Sequence, residues 1–449
     1  IIRKYPEFIP ALSARAGAYL VIGELEMSAL DLEAAHKLSK TPQVSMELAD
    51  IYMRLGRDDE AVDVLNSVVQ EHQTYEAALY KLTDTHLTAE NWIKAEACLE
   101  MAHKRFPKRA VFLVIEANMW RKRKQNERVM VALERALVVE PESPQVVRTY
   151  LLGLMDAKSY DKVLTTIERY EYKPSWNVWM NAIRARVMLA RKQDAKANEL
   201  FLKAVENAKP NELPFVVTQI REAYGSKIAI KRMNARAISR PADWQLKVLV
   251  GDLCSAAVSD PAGGLTDAER RQYLKLAADS YGDAAKKARK TVDIAMLHSR
   301  LGKIFYDDGK PRQAEKAYLK CLELIPTDNA ALNNLAYLYA ADLDEAEKAL
   351  PYAQKILKLR PQDPNVMDTY AWVLAKLKRY DQAKTYLQRV IDRAPELTAA
   401  RYHLGWVYEQ TGSPSQALKH YRTGMKTAAT QPHRETYKLL KEAIKRLQE

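Results

Sequence analysis

Of the 449 residues, only 14 are glycine, 19 proline and three cysteine, and each scarcity excludes something. So few turn formers cannot serve the many tight reversals of a β-sandwich or barrel. Runs of Val, Ile and Thr bounded by turn residues are nearly absent as well. Cys98, Cys254 and Cys321 are too few, and odd in number, for a disulfide framework, and none has a Cys or His at metal-ligand spacing. Cys321 falls at a small-residue position and is expected to pack as a small apolar side chain. No apolar run approaches the roughly 20 residues that span a bilayer; the longest, AVFLVI at 110–115, stops far short. The chain starts at Ile1 and not at Met, as a trimmed product would, which leaves room for a removed signal or anchor.

Motifs that carry chemistry are missing too. There is no GxSxG, GxGxxG, P-loop, HExxH or EF-hand loop. His36, His72, His86, His103, His298, His403, His420 and His433 are scattered. The acidic pairs Asp58-Asp59 and Asp307-Asp308 fall in turns, where they read as solvated turn residues and helix N-terminal charges. The expectation is a protein that is not an enzyme, with no cofactor and no metal.

Good helix formers dominate: Ala, Leu, Glu, Lys, Arg and Gln. At this length the chain is several globular domains or one elongated array. The formal net charge of +13 is uneven. Residues 1–100 carry nine basic and 17 acidic side chains, and the remainder carries 61 and 40. An acidic front and a basic rear suit an acidic partner or a head-to-tail contact between copies, although any long surface must also be charged simply to stay solvated.

A period decides between the two architectures. Gly302, Ala336, Ala371 and Gly405 are spaced by 34, 35 and 34 residues. A second small residue follows each (Ala314, Ala349, Ala383 and Ala417), and Pro326, Pro361 and Pro395 close three of the units. Three markers with one period indicate an internal repeat of two helices. The small residues are placed where the helices cross. Phe305, Tyr339, Leu374 and Tyr408 on the first helix, with Tyr318, Leu387 and Tyr421 on the second, fill the space between units.

These residues resemble the tetratricopeptide repeat, W-x2-L-G-x2-Y, then A-x3-F, then P. Leu301, Gly302, Phe305, Ala314, Tyr318 and Pro326 follow it, as do Leu404, Gly405, Tyr408, Ala417 and Tyr421; the leading Trp is absent from both. Earlier units are weaker: Leu48, Ala49, Tyr52, Ala61 and Leu65 form one, and Ala117, Trp120, Leu133, Ala136 and Pro141 another. The resemblance implies an all-α, right-handed superhelical solenoid of about 12 helix pairs. Residues 1–211 form an N-terminal array of about six repeats, 212–294 degenerate repeats bearing an insertion, 295–431 well-formed repeats and 432–449 a capping helix. The insertion VSDPAGGLTD (258–267) reads as a loop at Pro261, Gly263 and Gly264, and Thr266 with Glu269 forms a capping box.

The resemblance also implies a scaffold that holds a protein or peptide partner in a concave groove lined by the first helix of each pair. At the matching positions stand Ser299, Arg300 and Lys303; Asn333, Asn334 and Tyr337; Asp368, Thr369 and Trp372; and Tyr402, His403 and Trp406. Lys303, Tyr337, Trp372 and Trp406 form a row that serves for contact or simply packs between neighbouring helices. The basic clamp that holds a C-terminal carboxylate in co-chaperones of the family is not matched. Two alternatives remain: a structural subunit that self-assembles end to end, and an RNA-binding helical repeat using KRFPKR (104–109), RKRK (121–124), RARVMLARK (184–192) and KIAIKRMNARAISR (227–240). Nucleic acid is the less favoured, because aromatics are not interleaved with these clusters. NNLAYLYA (333–340), MDTYAWVL (367–374) and RYHLGWVYEQTG (401–412) resemble bacterial members of the family, some serving envelope machinery, which sets an expectation of that setting.

Overall fold

A computed structural model describes residues 7–260, 263–430 and 434–448, so Pro261 of the expected loop and His433 lie outside the described residues. Among the described residues there are 25 α-helices, a single 3-10 turn at Pro174–Trp176 and no strand. The helices run α1 (Ile9–Ile22), α2 (Leu25–Leu38), α3 (Pro42–Leu55), α4 (Asp58–Glu71), α5 (Glu76–Thr88), α6 (Trp92–Arg105), α7 (Ala110–Lys122), α8 (Asn126–Val139), α9 (Pro144–Asp156), α10 (Tyr160–Arg169), α11 (Asn177–Ala190) and α12 (Asp194–Asn207). They continue as α13 (Leu213–Tyr224), α14 (Ser226–Ser239), α15 (Trp244–Ser259), α16 (Asp267–Lys287), α17 (Thr291–Asp307), α18 (Pro311–Leu324), α19 (Asn329–Ala341), α20 (Ala346–Leu359), α21 (Pro364–Lys376), α22 (Tyr380–Arg393), α23 (Thr398–Gln410), α24 (Pro414–Thr430) and α25 (Arg434–Arg446). Helices α5–α12 and α15–α24 pack as successive pairs, an odd-numbered helix A followed by an even-numbered helix B, and the same alternation labels the other helices. No described helix is long and apolar enough to cross a membrane.

Two compact units divide the chain. The first comprises residues up to Ser13, Ala29–Met53 and Arg57–Arg232. Its core is the repeat pattern itself: Leu48, Ala49, Ala61 and Leu65 are buried in α3 and α4, and Ala117, Leu133 and Ala136 in α7 and α8. Leu151, Val163 and Ile167 in α9 and α10 are equally buried. The second unit comprises Ala14–Ser28, Arg54–Gly56 and the residues from Met233 onward. Ala314, Ala349, Ala383 and Ala417 are all fully buried there, whereas Phe305 and Tyr408 are only half-buried.

Local chemistry explains where the helices start and stop. Pro326 and Pro361 end α18 and α20 and lead into Asp328 and Asp363, whose carboxylates accept from the Ala331 and Asn365 amides at 2.8 and 3.0 Å. Thr266 and Glu269 form the expected capping box at the start of α16.

The turn from helix A to helix B is more uniform than the sequence suggests. Each of the twelve such turns among the described residues contains one residue in the left-handed region. Six are glycines: Gly23, Gly56, Gly225, Gly264, Gly309 and Gly412. The others are Glu90, Lys124, Lys158, Lys192, Asp344 and Lys378. In most of them the next amide reaches back five residues, as Ser159 N–H does to the Leu154 carbonyl at 2.9 Å, satisfying an orphan helix-end carbonyl.

The insertion-bearing pair α15–α16 keeps a glycine–tyrosine lock that two well-formed pairs also show. A Cβ on Gly302 or Gly405 would lie 2.4 or 2.5 Å from the ring of Tyr318 or Tyr421, sixteen residues on. Gly251 meets Tyr281 at 2.5 Å in the same way, but thirty residues on. The fourteen extra residues therefore enter between the two members of the lock without disturbing it.

Candidate functional site

The expected groove residues lie on α17, α19, α21 and α23, successive A helices of the second unit. They do not share one degree of exposure. Lys303 is exposed, and Asn333, Asn334, Tyr337, Tyr402 and Trp406 are half-buried. Asp368, Thr369, Trp372 and His403 are buried, with His403 only 1% exposed. Helix α21 explains the difference: from Val366 to Ala375 every residue except Tyr370 is buried, so the side that carries Asp368, Thr369 and Trp372 is packed as well as the side that carries Met367, Ala371 and Leu374.

The buried members form one cluster. His403 Nδ1 lies 2.8 Å from Asp368 Oδ1, a contact that compensates both polar groups for leaving water. The indole of Trp372 stacks on the imidazole, with ring centroids 4.2 Å apart. Trp406 meets Trp372 edge-on at 5.0 Å, and Tyr402 lies 6.4 Å from the same indole. On the other side Tyr337 approaches His403 at 6.2 Å, and Tyr306 meets Tyr337 edge-on at 6.4 Å. A continuous aromatic wall thus runs across α17, α19, α21 and α23, with a buried acid–imidazole pair beneath it. Such a wall is stiff, because aromatic rings lose few torsions on contact.

Cations border it. The Lys376 ammonium lies 5.8 Å from the Trp372 ring and 6.0 Å from that of Trp406 while pairing with Asp344 at 3.3 Å. Lys303 is engaged with Asp307 at 2.6 Å. Two buried polar atoms of this surface, Trp372 Nε1 and Asn333 Oδ1, have no hydrogen-bond partner among the described residues. One is a donor and the other an acceptor.

Lys376 and Tyr306 belong to this surface although the repeat register did not select them. Lys376 follows Trp372 by one helical turn, a spacing at which side chains meet. Tyr306 adjoins the half-buried Phe305 and was hidden behind it in the motif. Ser299 and Arg300 are directed elsewhere: Ser299 bonds Asp328 at 3.3 Å and Arg300 pairs with Asp252 at 2.9 Å. No group of His, Cys, Asp or Glu among the described residues is arranged to hold a metal ion. Cys254 and Cys321 are buried, and burial pushes both thiols up to about 12.

The basic segments are partly neutralised in place. Arg184 pairs with Glu171 at 2.6 Å, Arg186 with Glu222 at 2.5 Å, and Arg191 with Asp161. Within RKRK, Arg123 pairs with Glu96 and lies over the Trp120 ring at 4.8 Å, while Lys124 is the left-handed turn residue.

Paired helices at a 34-residue period, small residues at the crossings and a rigid wall of helix A side chains define a helical-repeat interaction scaffold. The tetratricopeptide repeat family matches residues 299–364, 340–396, 374–444 and 43–74, and the chain is a tetratricopeptide-repeat protein. Among characterised proteins it is similar to anaphase-promoting complex subunit 3 of Schizosaccharomyces pombe, 23% identical over 175 residues, 38% of this chain and 25% of that one. It is also similar to the human protein O-mannosyl-transferase TMTC3, 26% identical over 260 residues, 56% of this chain and 26% of that one. The chain therefore spans about a quarter of the length of these relatives. Among solved structures, it aligns over 98% of its length with 96% of a chain in the APC/C hetero-tetramer Cut9-Hcn1, at 13% identity and a TM-score of 0.43. Yeast Tom70 aligns over 100% of this chain and 96% of its own, at 11% identity and a TM-score of 0.39.

Proposed function

We propose that the chain binds a protein partner by laying a segment of it against the aromatic wall of α17, α19, α21 and α23. The observation that carries this reading is the unbroken contact of Tyr306, Tyr337, His403, Trp372 and Trp406 across four successive repeats. Its outer members, Tyr337, Tyr402 and Trp406, keep part of their surface open, as contact residues must. Its inner members are locked by packing and by the Asp368–His403 bond, so little side-chain freedom is lost on binding.

The test compares pull-downs from the source cell by the wild-type chain and by Trp406→Ala and Tyr337→Ala, each checked for unchanged helical circular dichroism. Both positions are half-buried, so the fold should survive. At least one partner should be lost from both variants; an unchanged partner list sinks the proposal.

A further inference from the structure

The KRFPKR segment has a role that neither the groove nor the repeat register uses. It closes α6 and turns into α7 beside a cavity of about 430 Å3 in the first unit, walled by Leu113 on α7 and by Val131, Val138 and Val139 on α8. That is within the range of about 300–1,000 Å3 typical of ligand sites. Val131 and Val138 are 56% and 81% exposed, although they stand two turns apart on a helix whose opposite face supplies the core. Apolar side chains held in water and rimmed by charge mark an interaction surface.

The rim is mostly basic. Arg109 and Arg135 line the cavity, and Lys104 and Lys108 are exposed in the segment beside it; Glu134 is the acidic member of the rim. Arg109 pairs through Nε with Glu76 at 3.0 Å. Arg135 makes only a long contact, 3.6 Å, to Glu116. That carboxylate already accepts from His103 at 2.8 Å and from the Trp120 indole at 3.3 Å. Burial works to raise the Glu116 carboxyl, but these hydrogen bonds prevail and hold it below its ordinary value. With Glu116 satisfied, the fork of Arg135 has donors to spare for an incoming carboxylate.

We infer that this cavity is a second docking site, separate from the groove, for an acidic protein segment that inserts one branched aliphatic side chain. The valine and leucine walls take the aliphatic group, and Arg109, Arg135 and the flanking lysines face the acidic residues on either side of it. A nucleic acid fits worse. Phe106, the aromatic within the basic run, is stacked on the buried Phe112 with centroids 5.8 Å apart, so it offers no free platform for a base.

The probe is a fluorescein-labelled acidic peptide of Glu and Asp residues around one central Leu, titrated with the full chain and followed by anisotropy. It should bind, and replacing its Leu by Ser should weaken binding at least tenfold. Val138→Asp and Arg135→Glu, both at exposed positions and checked for unchanged circular dichroism, should each weaken binding at least fivefold. Trp406→Ala in the groove should leave it unaltered. The inference is overturned by an absence of binding, by equal affinity of the Leu and Ser peptides, by variants that bind like the wild type, or by a labelled oligo-dT that binds more tightly than the peptide.

Discussion

At the scale of single residues, the small markers of the repeat are one half of a lock. Gly405 has no side chain because the ring of Tyr421 occupies that space, fully buried and held by its hydroxyl donating to Glu409 at 2.9 Å. A methyl at 2.5 Å from such a ring cannot be accommodated by the ring swinging away. Gly405→Ala should therefore destabilise the chain by up to about 2 kcal/mol, an overpacking cost of about 1–3 kcal/mol offset by about 1 kcal/mol of better helix propensity for Ala. In a Tyr421→Leu background the same change should become neutral or stabilising, because Ala371 and Leu387 already show that combination fully buried in the same chain. Urea titrations of the four proteins check this; a Gly405→Ala penalty that persists in the Tyr421→Leu background would show that the clash is not with the ring. The sequence displayed this lock only in part. Gly302 and Gly405 with their tyrosines were legible because the intervening spacing was regular. Gly251 and Tyr281 were not, because the insertion separates them by thirty residues. The groove residues were legible as positions, since the register assigns them a face. Their burial was not, because it depends on how closely α19, α21 and α23 approach one another, and no spacing within one repeat encodes that.

At the scale of elements, the turns inside the repeats obey one rule written in two alphabets. Left-handed backbone suits glycine, yet half of the twelve turns use Glu, Asp or, most often, Lys. That is why the turn signal faded in the N-terminal half, where four consecutive turns lack glycine, and with it the clarity of the repeat. Lys158, exposed at φ 53 with the back-reaching Ser159 amide beside it, is a site where the residue opposes the conformation. Lys158→Gly should stabilise the chain by about 0.5–1 kcal/mol, the relief of left-handed strain exceeding the entropy that glycine restores to the unfolded chain. Lys162→Gly, four residues later inside α10, should do the reverse by about 1 kcal/mol. Thermal melts of the two variants would read opposite shifts of the midpoint, and shifts of the same sign would refute the assignment of strain to the turn.

At the scale of the whole molecule, the repeats share a dependence on buried phenols. Burial raises the pKa of Tyr281, Tyr318, Tyr339 and Tyr421 in the second unit well above the ordinary 10.0, and raises Tyr52 in the first unit to about 12. For Tyr339, Tyr421 and Tyr52 a hydrogen bond to a carboxylate adds to the effect of burial, from Glu315, Glu409 and Glu33 respectively. In each case the folded chain keeps a proton that the unfolded chain releases near pH 10. The stability these groups contribute is thus fully present below about pH 10 and declines as pH rises above it, because the unfolded state then binds fewer protons. Nearest-neighbour packing in a repeat array spreads that loss to adjacent pairs, so helix should melt along with ionisation and not after it. An alkaline titration followed by phenolate absorbance and circular dichroism in the same cell should show two phases. The first phase should be reversible and leave the helix intact. The buried set ionises later, in step with loss of helical signal, and Tyr421→Phe should move that second phase to higher pH if relief of the proton linkage outweighs the lost Glu409 bond. A single phase near the ordinary tyrosine value, with helix retained throughout, would mean that these rings are reached by solvent and that the packing between repeats is looser than their burial indicates.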